Sequence, residues 1–310
     1  MTISVTLVTE AQSGDSTAQA IMSVCKEAGV KLYWDRFDIS NGEITPELIS
    51  NAKHTGLVLM APIERGTDKH PASVQLRRAL GMYAQVRNIK SLKGINGRFE
   101  GVNLKVVREI SEDLYTGIEH ESAEGVYESI KLTTKAACER IAKFAFEDAR
   151  SSRRKRLTIV HKSNIMKLSD GLLLRTATEM AKSYPEIETE EVIVDALCMK
   201  LVRDPSQFEV LLCGNLFGDI VSDLAAGLAG GPALGGATNH GDKAVVFENS
   251  HIPLEKSGSI LPMLIQTTEM LKHIGEVEAA VKIYEAIEMA LEDDPNASDD
   301  KFAEMVLTKL

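Results

Sequence analysis

The chain has 310 residues, enough for about two domains or one large α/β unit and for a full hydrophobic core. Apolar residues make up 44% and charged residues 26%, and 45 acids against 35 bases give a formal net charge of −10. That balance excludes an ordinary nucleic-acid binder, which presents a basic face, and disfavours an anionic membrane surface as partner. Small anionic substrates need only local basic clusters. Cys25, Cys138, Cys198 and Cys213 form no CxxC pair, so they point to a reducing, cytoplasmic compartment rather than a disulfide framework. The opening MTISVTLVT reads as a buried strand, with neither a secretory signal nor an Arg-rich transit peptide. The longest uncharged run, Leu224 to Gly241, is crowded with glycine and reads as a helix end plus a turn rather than a membrane span.

Strand-like and helix-like patterns alternate along the chain. Residues 3–9 are β-branched and apolar, and 16–28 carry Ala18, Ile21, Met22 and Cys25 at helical spacing, with Asp15 or Ser16 as N-cap. Residues 56–61 and 102–108 read as strands, with a helix near 73–84 between them. A long amphipathic helix spans 132–150. The basic run SSRRKR at 151–156 reads as a solvated loop. Then come strand 157–161, helix 170–183, strand 190–194, helix 195–203, strand 208–213 and helix 216–228, with helices near 258–274, 277–292 and 299–309 closing the chain. This β-then-α order predicts an α/β fold with a largely parallel sheet covered by helices on both faces.

Three segments carry candidate chemistry. In NLFGDIVSDLAAGL, residues 215–228, Asp219 and Asp223 stand one turn apart on a helix otherwise nearly free of charge. They form either a solvated acidic face or ligands for a hard cation such as Mg²⁺ or Mn²⁺. In TIVHKSNIMKLSDG, residues 158–171, Lys162 follows a buried strand, where it either snorkels at a sheet edge or acts as an acid or base. His161 reads as its structural neighbour. In VVREISEDLYTGIEHES, residues 106–122, Arg108 closes a strand where ligands of α/β sheets bind, and its fork suits a carboxylate. Arg77 and Arg87 in SVQLRRALGMYAQVR add two more cations, so arginines beside acidic ligands suggest a polycarboxylate substrate bound through a metal.

Together, LRRALGMYAQVR, VVREISEDLYTGIEHES, VHKSNIMKLSDGLLLR and NLFGDIVSDLAAGLAGG, with Asp195 upstream, resemble the isocitrate and isopropylmalate (β-decarboxylating) dehydrogenase family. The likeness runs from about residue 73 to 250, and HKSNIMK is similar to the NAD-dependent isocitrate branch. The resemblance implies two α/β domains around a cleft. Residues 1–82 and 230–310 would form the large, cofactor-side domain. Residues 83–229 would form the small domain, with the metal and substrate residues and a dimer clasp near 118–132. It also implies substrate carboxylates held by Arg77, Arg87 and Arg108, an acid–base pair of Tyr115 and Lys162, metal ligands Asp195, Asp219 and Asp223, and Asn164 near the substrate. Lys162 and Asp195 would come from the neighbouring subunit, so the active sites would be shared in a homodimer.

The departures concern cofactor and distal-carboxylate recognition. Where the family has GDGIGPE, this chain has EAQSGDSTA, and where it has a KGP segment, this chain has LMAPIERGT. The substrate motif Ser-x-Asn-x-x-x-Arg becomes Pro71, Ser73 and Arg77, leaving Ser73 as a substrate residue. The adenosine loop reads FENSHIPLEKSGSILP, shorter than in the family, with Glu248 and His251 as the recognisable cofactor residues. Weak NAD binding is therefore expected, with NADP disfavoured. The sequence implies metal-dependent oxidative decarboxylation of isocitrate or a related 2-hydroxy acid. A cofactor-independent decarboxylase or lyase and a tricarboxylate-binding regulatory subunit remain alternatives.

Overall fold

The computed structural model describes residues 3–10, 14–39, 42–61, 63, 71–231, 234, 236–249 and 260–310. In chain order they form β1 (Ile3–Glu10), α1 (Gly14–Glu27), β2 (Leu32–Ile39), α2 (Pro46–Thr55), β3 (Leu57–Met60), α3 (Ala72–Ala79), β4 (Ala84–Lys90) and β5 (Asn103–Glu109). There follow β6 (Glu119–Ala123), β7 (Val126–Ser129), α4 (Lys135–Ser151), β8 (Arg156–His161), α5 (Ser169–Ala181), β9 (Glu188–Ile193) and α6 (Val194–Arg203). The chain ends with β10 (Val210–Cys213), α7 (Asn215–Ala229), β11 (Ala237–His240), β12 (Val245–Glu248), α8 (Ile260–His273), α9 (Val277–Asp293) and α10 (Asp299–Thr308). The α/β class and the mainly parallel pairing match the sequence pattern.

Two compact units divide the chain. The first comprises Met1–Met82, Ser91–Arg98 and Ala229–Leu310. Its strands lie in the order β2-β1-β3-β12-β11, parallel except for the β11/β12 pair. Local chemistry sets its helix ends. The Thr45 hydroxyl accepts the Leu48 N–H at 3.2 Å, Pro46 fills the first turn of α2, and Gly56 closes it at φ 66. α1 begins at Gly14, so Asp15 and Ser16 lie inside its first turn rather than capping it. The helix predicted near 73–84 stops at Ala79, because Gly81 turns the chain at φ 65 and the Met82 N–H returns to the Arg77 carbonyl. Ser91–Arg98, which the sequence boundaries leave within 83–229, packs with this unit. A Cβ on Gly94 would lie 2.6 Å from the Leu291 carbonyl carbon, and one on Gly97 would lie 2.4 Å from the Ala229 carbonyl oxygen. Both backbone approaches require glycine.

The second unit comprises Tyr83–Lys90 and Phe99–Leu228, with strand order β4-β5-β10-β8-β9. Only β4/β5 is antiparallel there. The Thr134 hydroxyl caps α4 by accepting the Ala137 N–H at 3.2 Å. The apolar stripe of α4, from Ile141 to Ala149, is buried with Leu157, Ile159, Val210 and Leu212. Phe146 lies at its centre, fully buried and stacked on Tyr184 with ring centroids 5.1 Å apart. β6 and β7 form a separate antiparallel ribbon, with all nine residues of the two strands exposed.

Replacing Phe146 by alanine removes a ring that the surrounding helices cannot fill. Phe146→Ala is expected to destabilise the second unit by about 3–5 kcal/mol, read as a lower urea midpoint with an unchanged m-value.

Candidate active site

The antiparallel register pairs Gln85 with Arg108 and Arg87 with Val106, which puts Gln85, Arg87 and Arg108 on one face of the sheet. Helix α7 supplies their partners. Arg108 donates through Nε and Nη2 to Asn215 Oδ1 at 3.0 and 2.7 Å, and through Nη1 to Gln85 Oε1 at 3.3 Å and to the Asp219 carboxylate. Arg87 donates through Nη1 to the Asp223 carboxylate, and its Nη2 lies 3.9 Å from Asp219. Both arginine side chains are buried, at 4% and 7% exposure, while Asp219 and Asp223 are 35% and 48% exposed. Cationic groups are thus held out of water against carboxylates that still face it. A one-turn acidic pair on an isolated helix repels itself; here each carboxylate has its own guanidinium.

Tyr115 sits in the 3₁₀ turn Leu114–Thr116. Its phenol donates to Asp219, and the Arg108 guanidinium lies 5.1 Å from its ring centroid. Burial, and next the bond to Asp219, push the phenol up to about 12. Asp113 caps that turn, accepting the Leu114 N–H at 2.8 Å on one oxygen and the Leu216 N–H at 3.2 Å on the other. It does so at φ 76, ψ −154, a conformation that costs a non-glycine residue on the order of 1–3 kcal/mol. The Asn215 amide donates to the Glu112 carbonyl at 2.9 Å, so the start of α7 and the tyrosine turn are bound at two points.

Lys162, just past β8, makes a second cluster. Its Nζ lies 2.5 Å from Oδ1 of Asp195, in the first turn of α6. The lysine is 26% exposed and Asp195 is 69% exposed, so the ion pair is half-open to solvent. The hydrogen bond from Lys162 is the main cause holding the Asp195 carboxyl below the usual carboxylate range. Asn164 is exposed in the following turn, and buried His161 accepts the Ser163 N–H on Nδ1 at 3.1 Å. Among the described residues no three His, Cys, Asp or Glu side chains gather as a metal cluster, so one chain does not bring Asp195 to Asp219 and Asp223.

In the first unit, Ser73 and Arg77 stand one turn apart on α3, and Arg77 Nε donates to the Ser73 carbonyl at 3.3 Å. Arg77 Nη1 lies 3.7 Å from Oε1 of Glu248, which is buried at the end of β12 and accepts from the Asn239 amide at 3.0 Å. Glu248, read from the sequence as a cofactor residue, therefore partners Arg77. His251 and most of the divergent cofactor segments lie outside the described residues.

Sequence reasoning missed Gln85, Asp113, Asn215 and Gly218. The one available signal was Gly218, a glycine inside a helix where alanine is favoured by about 1 kcal/mol. A Cβ there would lie 2.6 Å from Cγ and 2.8 Å from Cβ of Arg108, so the missing side chain lets α7 close on the arginine. Among the described residues no helix is long and apolar enough to cross a membrane, and the four cysteines are free.

The α/β scaffold thus aims arginines, a tyrosine and a lysine at acidic side chains, and the comparisons place it in a class of oxidoreductases. The profile of the isocitrate/isopropylmalate dehydrogenases matches residues 12–309, and the chain belongs to that family of oxidoreductases. It is 38% identical over 297 residues to a mitochondrial regulatory subunit of NAD isocitrate dehydrogenase from Dictyostelium discoideum, covering 92% of this chain and 82% of that one. It is 35% identical over 311 residues to the mitochondrial alpha subunit of the Bos taurus enzyme, covering 96% and 85%. A crystal structure of isocitrate dehydrogenase from Methylococcus capsulatus aligns with TM-score 0.90 at 35% identity, covering 100% of this chain and 99% of that one.

The close approach at Gly218 can be measured against Gly227 on the same helix, where an added Cβ meets nothing within 4 Å. Gly218→Ala is expected to lower stability by about 1–3 kcal/mol through overpacking against Arg108. Gly227→Ala is expected to raise it by about 0.5–1 kcal/mol through helix propensity. Urea titration of the two variants reads both signs.

Proposed function

We propose that the protein is a divalent-metal-dependent dehydrogenase that oxidatively decarboxylates isocitrate or a closely related 2-hydroxy di- or tricarboxylate with NAD. The observation that carries this reading is the cluster of Arg87, Arg108, Tyr115, Asp219 and Asp223. Two buried guanidiniums and two carboxylates are charge-balanced. A dicarboxylate arriving with a divalent cation keeps that balance and a tricarboxylate adds one negative charge, the anion facing the arginines and the cation the aspartates. Asp219 and Asp223 are hard oxygen donors one turn apart and partly open to solvent, which fits Mg²⁺ or Mn²⁺. A divalent cation bound there supplies Lewis acidity to the substrate's hydroxyl and adjoining carboxylate oxygens, and the nicotinamide of NAD supplies the hydride acceptor.

The chain's own groups divide the remaining work. Arg87 and Arg108 hold carboxylates in planar forks that are already ordered by the protein, and Arg77, Ser73 and Asn164 complete the substrate contacts. Lys162, or a relay through it, takes up the hydroxyl proton as its ammonium passes one of its own protons on to Asp195 or to water. Tyr115, whose phenol is pushed up to about 12, stays protonated at neutral pH and delivers its proton to the carbon from which carbon dioxide departs. Residues 1–82 and 230–310 form the cofactor side, where Glu248 and His251 contribute to an NAD site weakened by the shortened adenosine loop.

The site works as a homodimer in this reading. Lys162 with Asp195 and Tyr115 with Asp219 are separate pairs in one chain, and a second copy supplies the missing half of each site. The exposed β6–β7 ribbon favours this arrangement, because a two-stranded ribbon is marginal alone in water. Ile118, Val126, Tyr127 and Ile130 are exposed on and beside it as contact surface. A regulatory, tricarboxylate-binding subunit is the second reading, favoured by the name of the Dictyostelium relative. The complete arginine, tyrosine, lysine and aspartate set counts against it. The cytoplasmic location belongs to this proposal too, although the two named relatives are mitochondrial.

Incubation with Mn²⁺ and a panel of hydroxy acids, with and without NAD, separates the readings. NADH and carbon dioxide formed together from isocitrate support the dehydrogenase, cofactor-free carbon dioxide a decarboxylase, and binding without turnover a regulatory subunit. In the same series Asp223→Asn is expected to cut Mn²⁺ affinity at least tenfold by calorimetry, the loss of about 1.4 kcal/mol. Thermal stabilisation is expected from Mn²⁺ plus tricarboxylate, with little from NAD alone. Shared sites have their own test. Lys162→Met and Tyr115→Phe chains, each inactive alone, are expected to regain activity when co-expressed, because one site of the mixed dimer is intact. A monomer at micromolar concentration by ultracentrifugation contradicts the shared site.

A further inference from the structure

Lys131 lies between the β6–β7 ribbon and α4, outside the motifs that carry the family resemblance. Its Nζ donates to Asp170 Oδ1 at 2.6 Å and lies 3.4 Å from Oδ2 of Asp113, with the Phe217 ring centroid at 5.1 Å. Both carboxylates are buried, at 3% and 4% exposure, and both are engaged in holding catalytic segments. Asp170 Oδ2 accepts the backbone N–H of Lys162 at 2.7 Å. Asp113 accepts the Leu114 and Leu216 N–H groups, at the tyrosine turn and at the start of the helix bearing Asp219 and Asp223. The next residue, Leu132, accepts the Asp113 N–H through its carbonyl at 3.0 Å, so the lysine's own backbone is fastened to the same turn.

We propose that Lys131 is a positioning residue, an internal cationic pin whose two ion pairs fix the Tyr115 turn, the start of α7 and the Lys162 loop relative to one another. The physical reason is the pair of buried carboxylates. Asp113 has both oxygens, and Asp170 one, committed to backbone N–H groups that set catalytic side chains, and each carboxylate needs a counter-charge to stay in place. They share the Lys131 ammonium, which comes from the root of the ribbon. Removing it leaves two like charges facing a cavity lined also by Glu109 and Glu112. The carboxylates then turn toward solvent and release the amides they hold. Lys131 is not among the residues proposed to touch the substrate or the reacting atoms, so its loss affects turnover rather than substrate binding. In the proposed dimer the Tyr115 and Lys162 of one chain serve different sites, so a single Lys131 supports half of each.

This inference rests on Tyr115 and Lys162 being the acid–base pair, and the test separates the two ideas. Lys131→Met, Lys131→Gln and Lys131→Arg are compared with wild type for kcat and KM toward isocitrate with Mn²⁺ and NAD, and by hydrogen–deuterium exchange of the whole protein. Expected is a 10–100-fold fall in kcat for the Met and Gln variants, with KM within about threefold. The Arg variant, which keeps the charge, is expected to recover at least a tenth of wild-type kcat. Exchange is expected to rise in peptides covering 112–117, 161–166 and 214–218, with 141–150 and 157–160 unchanged. Wild-type kcat in the Met and Gln variants, or unchanged exchange in the three segments, overturns the pin. So does an exchange rise across the entire second unit, or failure of both neutral variants to fold, since either assigns the lysine to bulk stability. If wild type itself has no turnover, the functional reading falls alone, and local against global exchange still decides the role of Lys131.

Discussion

Two guanidinium groups buried on one face of a sheet govern the rest of the second unit. A charge removed from water costs several kcal/mol unless it is paired and its donors are satisfied. Arg108 meets that requirement with Asp219, Asn215 and Gln85, and Arg87 is paired with Asp223. The demand explains why α7 carries charge only where an arginine waits, and why Gly218 leaves room for Arg108 to lie against it. It also explains why Asn215 and Asp113 stitch the helix start to the tyrosine turn, in one case at the expense of an unfavourable backbone conformation. Pairing to α7 keeps both arginines ordered.

Much of this was legible in the sequence. Where one period dominates, as in β1, α4, α5 and α9, the elements lie within a few residues of their predicted bounds. The strands β2, β4, β6, β7, β11 and β12 and the helix α2 went unread. β2 alternates poorly, because Asp35, Arg36 and Asp38 sit on a half-exposed edge. β4 carries Arg87 and Asn88 at its centre, polar residues that argue against a buried strand until their partners are known. The aspartate pair one turn apart was visible as a candidate site. Its counter-ions were not, since Arg87 and Asp223 are 136 residues apart and only the register of β4 on β5 brings the arginine to that face. Lys162 and Asp195 could be named from their motifs, but only the fold separates them from the other aspartates within one chain.

The first unit shows where the chain departs from its relatives in physical terms. The position at which the family pattern has a serine holds Pro71, which opens α3 at φ −48 with no side-chain cap. Ser73, at the asparagine position, lies one turn before Arg77 and offers it a backbone carbonyl. Arg77 is then partnered by Glu248, a carboxylate buried at the end of β12. The charge of Arg77 is thus already balanced within the first unit.

The order of the chain also constrains its synthesis. It leaves the first unit at Met82, returns to it for Ser91–Arg98, and rejoins it for good only at Ala229. On the ribosome, the second unit has all its strands once Leu228 has emerged. The first still lacks β12, the strand that pairs with β3, and the helix α8 that packs on it. Until then β3, a run of four buried apolar residues, has an open hydrogen-bonding edge. Vectorial folding of this chain thus runs from the inside of the sequence outward, with the N-terminal half-sheet waiting on the C-terminal third for its closure, and it is at β3 that a nascent chain of this architecture is most exposed to mispairing.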